Sequence, residues 1–271
     1  MAKKTVTASA TATGRGRVEA RGRVVKQLST GFVALLDILG FSAMVRAEGF
    51  IHTIRKYTRI LDDVTGSNER LLYITFSDTI VIYIDDSETP LSGSELREVL
   101  SAVGEICYRF LVEVDCPLRG CVTVGKLMSV LHTGGTILAG SAIVEAYSYE
   151  KKQDWVGVIV SPRLASKEKY FDKQLLVDKG FVDEYETIPF KMGEDAGTED
   201  FKGYVVIPRT KEDVDVLSID WFKTAKFPDA LKRLRMFAPG PSEQRKYQQA
   251  LDWWVDFRGR RFPGLRKTWG S

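Results

Sequence analysis

The stretch Gly31-Phe-Val-Ala-Leu-Leu-Asp37-Ile-Leu-Gly40-Phe-Ser42 indicates the fold class of this chain. Its first part is a continuous apolar run, which is typical of a central strand buried on both faces. Gly40-Phe41-Ser42 then predicts a turn into an amphipathic helix over residues 43–64. A charged carboxylate is costly in such a strand unless it is paired or binds a cation. Asp37 is therefore a candidate functional residue.

A second acid lies between two β-rich runs. Leu71–Phe76 and Thr79–Ile84 flank Ser77-Asp78, which is the pattern of a β-hairpin. Because neighbouring strands lie about 4.8 Å apart, the carboxylates of Asp37 and Asp78 can share one or two cations. Carboxylate oxygens favour Mg²⁺ or Mn²⁺, which usually hold the phosphates of a nucleotide. The alternative is a turn role for Asp78 and a helix N-cap role for Asp37.

The remaining elements alternate between helices and strands. In chain order they are a helix, a strand, a helix and a strand, predicted over residues 92–114, 118–125, 139–152 and 155–160. A hairpin inside the order βαββαβ favours an α+β, ferredoxin-like core over a doubly wound sheet. Beyond residue 180 the pattern weakens. It predicts a loop at 193–200, an edge strand at 201–208, and one or two helices from residue 227.

The composition excludes several classes of protein. With 271 residues and 44% hydrophobic content, the chain can form one large domain or a domain with an extension. The sequence has no signal peptide and no apolar run of the roughly 18–20 residues that span a membrane, so we expect a soluble, cytoplasmic protein. Its three cysteines and two histidines fit neither a disulfide framework, nor a zinc site, nor a Ser-His-Asp triad.

The first strand carries a recognisable motif. Asp37-Ile38-Leu39-Gly40-Phe41-Ser42 resembles the Asp-Ile/Met-x-Gly-Phe-Ser/Thr motif of class III adenylate and guanylate cyclases. The resemblance implies that Asp37 binds two Mg²⁺ or Mn²⁺ ions and that Ile38 lends its backbone carbonyl. It also implies that Gly40, Phe41 and Ser42 cradle the terminal phosphates of a nucleoside triphosphate.

Two further motifs follow in the order and spacing of the same family. Phe76-Ser77-Asp78 is similar to the hairpin motif, in which the Asp is the second metal ligand. Gly140–Ala146 is similar to the helix motif Gly-x-x-Val-Asn-x-Ala. The resemblance covers about residues 31–165. It implies a class III cyclase core with extra C-terminal strands and helices.

The departures from these motifs concern the substrate. The family's helix normally supplies an Asn and, four residues later, an Arg, but this chain has Val144 and Ser148. The hairpin strand normally offers a Lys that reads adenine, and residues 71–75 contain none. In the stretches 118–120, 140–150 and 245–247, the sequence resembles the bacterial Pycsar pyrimidine cyclases. The loss of the purine-reading residues fits the smaller base of a pyrimidine.

That resemblance implies a specific reaction. The enzyme would convert UTP, or CTP, to the 3′,5′-cyclic monophosphate and pyrophosphate, and a downstream effector protein would read the product in anti-phage defence. Two alternatives stay open. One is a purine cyclase with unusual base contacts, and the other is a catalytically inactive cyclase fold that senses nucleotides or mediates dimerisation.

Positive side chains are also needed around the phosphates. Arg119 is the first candidate because it opens a strand beside the hairpin, and Lys246 with Arg245 is the second. In the family the site lies between two subunits packed head to tail, which implies a homodimer with two shared sites. Glu145 and Tyr149 of the helix near 139–150 are candidates for lining that pocket.

The chain divides into three predicted regions. Residues 1–29 form a basic flexible tail, with seven Lys and Arg residues against one acid. Because this tail lacks interleaved aromatic residues, we expect a solvated arm and no nucleic-acid partner. Residues 30–222 form the cyclase domain. Residues 223–271 form a helical extension that packs on the domain or on the dimer partner.

Overall fold

The computed structural model describes residues 24–25, 28–66, 68–87, 89–132, 135–191, 198–210 and 226–263. Its strands are β1 (Val24–Val25), β2 (Ser29–Ile38), β3 (Leu72–Phe76), β4 (Thr79–Asp85), β5 (Leu118–His132), β6 (Gly135–Ala139), β7 (Gly157–Val160), β8 (Val182–Lys191) and β9 (Thr198–Val206). Its helices are α1 (Phe41–Arg46), α2 (Phe50–Thr65), α3 (Gly93–Val114), α4 (Ser141–Lys152), α5 (Pro162–Ala165), α6 (Lys173–Asp178), α7 (Phe227–Phe237) and α8 (Pro241–Arg261).

One sheet organises these elements, in the order β3-β4-β2-β5-β7-β9-β8, with β1 and β6 paired to β5. The first four strands of this order pair with one another in antiparallel fashion, whereas β5 and β7 are parallel. Together with α2 and α3 they form the βαββαβ core, so the predicted α+β, ferredoxin-like architecture is confirmed. Strands β7, β9 and β8 extend the sheet beyond it.

The central strand β2 is buried on both faces. Phe32, Ala34 and Leu36 pack into one apolar cluster with residues of α2 and α3. The alternate residues Val33 and Leu35 belong to a second cluster with residues of α4, α7 and α8. Since side chains alternate along a strand, Asp37 points to the same side as Val33 and Leu35, toward α4.

The C-terminal helices complete the second face of the sheet. Phe227 and Leu231 of α7, and Trp253 and Trp254 of α8, are almost fully buried. They join Trp155 in the second apolar cluster. Helices α7 and α8 therefore pack against the sheet of the same chain.

The prediction of a single helix over residues 43–64 is wrong. The chain forms two helices instead, because α1 ends at Arg46 and α2 begins at Phe50. Gly49 lies between them with φ 88°, in the left-handed region. Glycine adopts that conformation without steric cost, and it interrupts the helix.

The prediction also misplaced strands in the second half of the chain. Strand β5 runs on to His132 and pairs with β6. The predicted edge strand at 201–208 is the internal strand β9, because β8, which was not predicted, forms the edge. Of the loop predicted at 193–200, residues 198–200 belong to β9 and the rest lie outside the described residues.

Part of the predicted N-terminal tail is structured. Val24 and Val25 pair with Leu131 and Val130 of β5, and Ser29 begins β2. Residues 1–23, 26 and 27 lie outside the described residues. In the part of the chain that the structure describes, no helix is long and apolar enough to cross a membrane.

The start of α3 offers a stability prediction. Ser92 and Glu95 form a capping box, and Glu95 also pairs with Arg70 at 2.8 Å. Burial raises the pKa of Glu95, but hydrogen bonds from Ser92 and the charge of Arg70 outweigh it and lower the pKa to about 2. A lowered carboxyl pKa stabilises the fold above the unfolded pKa, near 4.5, and this contribution is lost as the pH falls toward 2.

Glu95→Gln should therefore lower the free energy of unfolding by about 1–2 kcal/mol at pH 7. The difference from the wild type should shrink as the pH falls from 4.5 toward 2. Urea unfolding at several pH values measures it. A difference that stayed constant across this range would contradict the assignment.

Candidate active site

Two neighbouring strands position the candidate metal ligands. Asp37 is the penultimate residue of β2, and its register partners are Thr79 of β4 and Arg119 of β5. Asp78 lies in the two-residue turn before β4, and its backbone carbonyl accepts a hydrogen bond from the Ile38 amide at 2.9 Å. The structure therefore brings both acids to the same end of the same strand pair.

The carboxylates differ in what they contact. Oδ2 of Asp37 lies 3.0 Å from the Arg119 guanidinium. Among the described residues, no hydrogen-bond donor reaches Oδ1 of Asp37 or either carboxylate oxygen of Asp78. Three oxygens of the pair are thus open to a ligand.

The turn after Asp37 is a tight one. Gly40 is exposed and has φ 81°, and its carbonyl accepts hydrogen bonds from Ala43 and Met44 in the first turn of α1. A Cβ at Gly40 would meet no other atom, so the backbone conformation and not crowding requires glycine. Phe41 packs edge-on against Phe50, with ring centroids 6.4 Å apart, and this contact fixes the turn against α2.

Arg119 is buried and engaged. Its Nη2 contacts Oδ2 of Asp37 at 3.0 Å and Oε1 of Glu150 at 2.5 Å. Its Nη1 donates to the backbone carbonyl of Gln153 at 3.0 Å. The first candidate for a phosphate-binding cation is therefore balanced by two carboxylates of its own chain.

Glu150 is the site residue that sequence reasoning missed. It lies on α4 and is only 1% exposed. Burial raises the pKa of its carboxyl group, the charge of Arg119 lowers it, and the nearby charge of Asp37 raises it again. The sequence Tyr147–Lys152 looks like a solvated helix end, so only the tertiary packing reveals this acid.

The two predicted pocket residues on α4 have partners within the chain. Glu145 accepts a hydrogen bond from Thr123 at 3.1 Å and pairs with Arg163 at 2.6 Å. Tyr149 is half-buried, and its ring lies 6.3 Å from that of Phe190. Burial raises the pKa of its hydroxyl, and the charge of Glu145 raises it further. Both side chains take part in the packing of α4 on the sheet.

The second pair of candidate cations is also balanced. Lys246 and Arg245 lie on α8 and contact opposite oxygens of Asp154, at 3.7 Å and 2.8 Å. Asp154 is buried just after the end of α4. The two cations compensate a buried acid, so their positive charge is not free in this conformation.

The outer face of α4 carries the positions where the cyclase motif has Asn and Arg. Val144 is 69% exposed, and Ser148 is exposed as well. Tyr147 on the same helix is 53% exposed. Inward-facing Glu150 and outward-facing Val144 therefore give α4 one face toward Asp37 and one toward solvent.

The donor set fits a hard divalent cation. Carboxylate and carbonyl oxygens are the ligands that Mg²⁺ and Mn²⁺ prefer. Asp37, Asp78 and the carbonyl of Ile38 can supply them from adjacent positions. Within the described residues, no group of three or more His, Cys, Asp or Glu side chains converges. Two carboxylates and one backbone carbonyl are therefore the candidate ligands that the described residues offer to a metal ion here.

Neither a protein-family profile nor a curated protein matches this sequence. Among solved structures, it is similar to the adenylyl cyclase CyaB from P. aeruginosa, with a TM-score of 0.50 and 14% identity. That match covers 68% of this chain and 97% of CyaB. The chain has the class III nucleotidyl cyclase fold. The guanylate cyclase domain of RhGC from Catenaria anguillulae, in complex with GTP, also matches, with a TM-score of 0.46, 14% identity, and 67% and 98% of the two chains covered.

Within the cyclase fold, the three sequence motifs occupy distinct elements. Asp37–Ser42 joins β2 to α1, Phe76–Asp78 joins β3 to β4, and Gly140–Ala146 begins α4. The first two motifs adjoin each other through the hydrogen bond between Ile38 and Asp78. The third lies on the helix that holds Glu150.

Proposed function

We propose that this chain is a nucleotidyl cyclase, a phosphorus–oxygen lyase that forms a 3′,5′-cyclic nucleotide and pyrophosphate from a nucleoside triphosphate. The observation that carries the proposal is the pair Asp37 and Asp78. Asp37 lies near the end of β2 and Asp78 in the turn before the adjacent strand β4 of a class III cyclase fold. Three of their carboxylate oxygens have no hydrogen-bond partner among the described residues. One oxygen of the pair contacts Arg119 and the other three do not, so these half-buried acids are only partly compensated, which is costly, and a divalent cation removes that cost.

In this proposal Asp37, Asp78 and the carbonyl of Ile38 hold two Mg²⁺ or Mn²⁺ ions. When bound, such ions lower the pKa of the ribose 3′-hydroxyl and neutralise charge on the attacking and leaving oxygens. The chain itself orients the reactants. The Gly40-Phe41-Ser42 turn follows Asp37 closely in the chain, and its backbone N–H groups would bind the terminal phosphates.

A cation must also face the phosphates as pyrophosphate leaves. Arg119 remains the first candidate, because it is the cation in contact with Asp37. Its contacts with Asp37 and Glu150 hold the guanidinium in place, so Arg119 would act on a bound phosphate from that position. Lys246 is the second candidate, and it would have to leave Asp154 to reach a substrate.

The proposed enzyme is a homodimer with two shared, head-to-tail sites. Large apolar side chains are exposed on elements near the candidate site: Phe76 beside Asp78 is 82% exposed, and Val144 and Tyr147 of α4 are 69% and 53% exposed. In the proposed dimer, the partner subunit covers these exposed side chains. Glu145 and Tyr149 would then line the pocket that the partner's nucleotide enters.

The proposed substrate is a pyrimidine triphosphate, with UTP favoured and CTP possible. The motif departures at Val144 and Ser148, and the absence of Lys from β3, support a base site without the groups that read purines. The cyclic product would act as a signal in anti-phage defence, as the resemblance to Pycsar cyclases suggests. A purine cyclase or a catalytically inactive nucleotide sensor are the alternatives.

Incubation with ATP, GTP, CTP and UTP separately, each with Mn²⁺, tests this proposal. We expect cyclic UMP as the main product by mass spectrometry, and no product after chelation of the metal. Turnover of ATP or GTP alone would overturn the pyrimidine assignment and leave the cyclase intact. Binding of nucleotides without any cyclic product would favour the sensor.

A further inference from the structure

Asp37 and Glu150 contact the same nitrogen of Arg119. Nη2 of Arg119 lies 2.5 Å from Oε1 of Glu150 and 3.0 Å from Oδ2 of Asp37. The side chains of Glu150 and Arg119 are only 2% and 10% exposed, and that of Asp37 is 16% exposed. Water therefore screens this set of three charges only weakly.

The guanidinium of Arg119 lowers the affinity of Asp37 for a metal ion. It neutralises the carboxylate of Asp37 and occupies one of its oxygens, so it competes with a divalent cation for the same acid. A pair made of Asp37 and Arg119 alone would carry no net charge. With Glu150 included, the set carries a net charge of one negative unit, which attracts a cation.

The geometry ties Arg119 to α4. Besides Glu150, Arg119 binds the backbone carbonyl of Gln153, the residue that follows α4, at 3.0 Å. Gln153 is itself held, because its amide donates to the carbonyl of Gly120 at 2.8 Å and accepts from the indole of Trp155 at 3.1 Å. Two of the contacts of Arg119 thus belong to the end of α4, and Asp37 receives the remaining one.

We propose that Glu150 is a positioning residue that draws Arg119 onto α4 and thereby keeps Asp37 available to a divalent cation. The inference rests on the proposed metal-binding role of Asp37. It assigns a specific task to a buried acid that the sequence motifs do not include. A purely structural role for Glu150 would affect stability but leave metal affinity unchanged.

The test measures the affinity of the full chain for Mn²⁺ alone, by electron paramagnetic resonance of the free ion, without nucleotide. Glu150→Gln keeps the shape and the hydrogen-bond acceptor but removes the charge, so Arg119 should interact more strongly with Asp37. We expect the dissociation constant for Mn²⁺ to rise about tenfold. Thermal unfolding of the same samples monitors the fold.

Two further variants separate the explanations. Asp183→Asn neutralises another buried acid, which Arg260 and Trp253 contact at 2.7 Å and 2.8 Å, on β8 and outside the candidate site. It should leave Mn²⁺ affinity unchanged. In the double variant Glu150→Gln with Arg119→Met, the competing cation is also removed, and Mn²⁺ affinity should return to within about threefold of the wild type.

Several results would overturn the inference. An unchanged Mn²⁺ affinity in Glu150→Gln would do so, as would an equal loss in Asp183→Asn, which would indicate a general structural effect. A double variant as weak as Glu150→Gln would show that Arg119 is not the competitor. If the wild type itself bound no Mn²⁺, the metal role of Asp37 in the proposed function would be the part that fails.

Discussion

Asp37→Asn should reduce cyclic-nucleotide synthesis by at least about 10³-fold while leaving the fold intact. The amide is a weaker metal ligand than the carboxylate, and it removes one of the two negative charges of the Asp37 and Asp78 pair. The fold should survive because an amide oxygen can still accept a hydrogen bond from Arg119, which keeps its contact with Glu150. Initial rates with Mn²⁺ and each nucleoside triphosphate measure the effect, and circular dichroism monitors the fold.

Asp85→Asn provides the matched control. Asp85 ends the same hairpin strand that Asp78 precedes, and its carboxylate accepts hydrogen bonds from Ser87. Because it lies at the opposite end of β4, its variant should retain the wild-type rate. Full synthesis by Asp37→Asn or by Asp78→Asn would remove the metal assignment, and an equal loss in Asp85→Asn would indicate a general structural effect.

The elements that carry the candidate site could be predicted because their patterns are local. Strand β2 is buried on both faces, so its residues form an unbroken apolar run in which Asp37 stands out. The two β-rich runs around Asp78 form the predicted hairpin. Helix α3 has a capping box at its start and an apolar face, and both features can be recognised in the sequence.

The partners of Arg119 could not be predicted in the same way. The burial of Glu150 depends on α4 packing across β5 and across β2, and β2 lies far away in sequence. Its neighbours Tyr149 and Lys151 give no sign of that contact, because a Glu followed by Lys is typical of a solvated helix end. The sequence therefore indicated Arg119 and Asp37 as candidate residues of the site, but neither Glu150 nor the contacts that join the three.

Strand β8 was missed for a different reason. Its first half carries Asp183, Glu184 and Glu186, which interrupt the apolar pattern. Asp183 points inward and is compensated by Arg260 and Trp253, while Glu184 and Glu186 pair with lysines at the surface. Charged residues are common on edge strands, and β8 is the edge of this sheet. Because β8 was not predicted, β9 was assigned to the edge of the sheet.

Trp253→Ala should lower the free energy of unfolding by about 3–5 kcal/mol. Trp253 is 1% exposed, its ring stacks on Phe257 with centroids 5.8 Å apart, and it meets Trp155 edge-on at 5.9 Å. Its indole N–H also donates to the buried Asp183 at 2.8 Å. The truncation leaves a cavity between α8 and the sheet and removes that hydrogen bond, and both effects destabilise the fold.

Urea unfolding compares this variant with Trp253→Phe and Val255→Ala. The Phe variant keeps most of the packing but not the hydrogen bond, so we expect a loss of about 1–2 kcal/mol. Val255 lies on the same helix and is 58% exposed, so its truncation should change stability by less than about 0.5 kcal/mol. A similarly small effect of Trp253→Ala would mean that α8 contributes little to the stability of the fold. A loss of about 3–5 kcal/mol instead makes the C-terminal helices an integral part of the fold, because a total stability of roughly 5–15 kcal/mol leaves little margin for their loss.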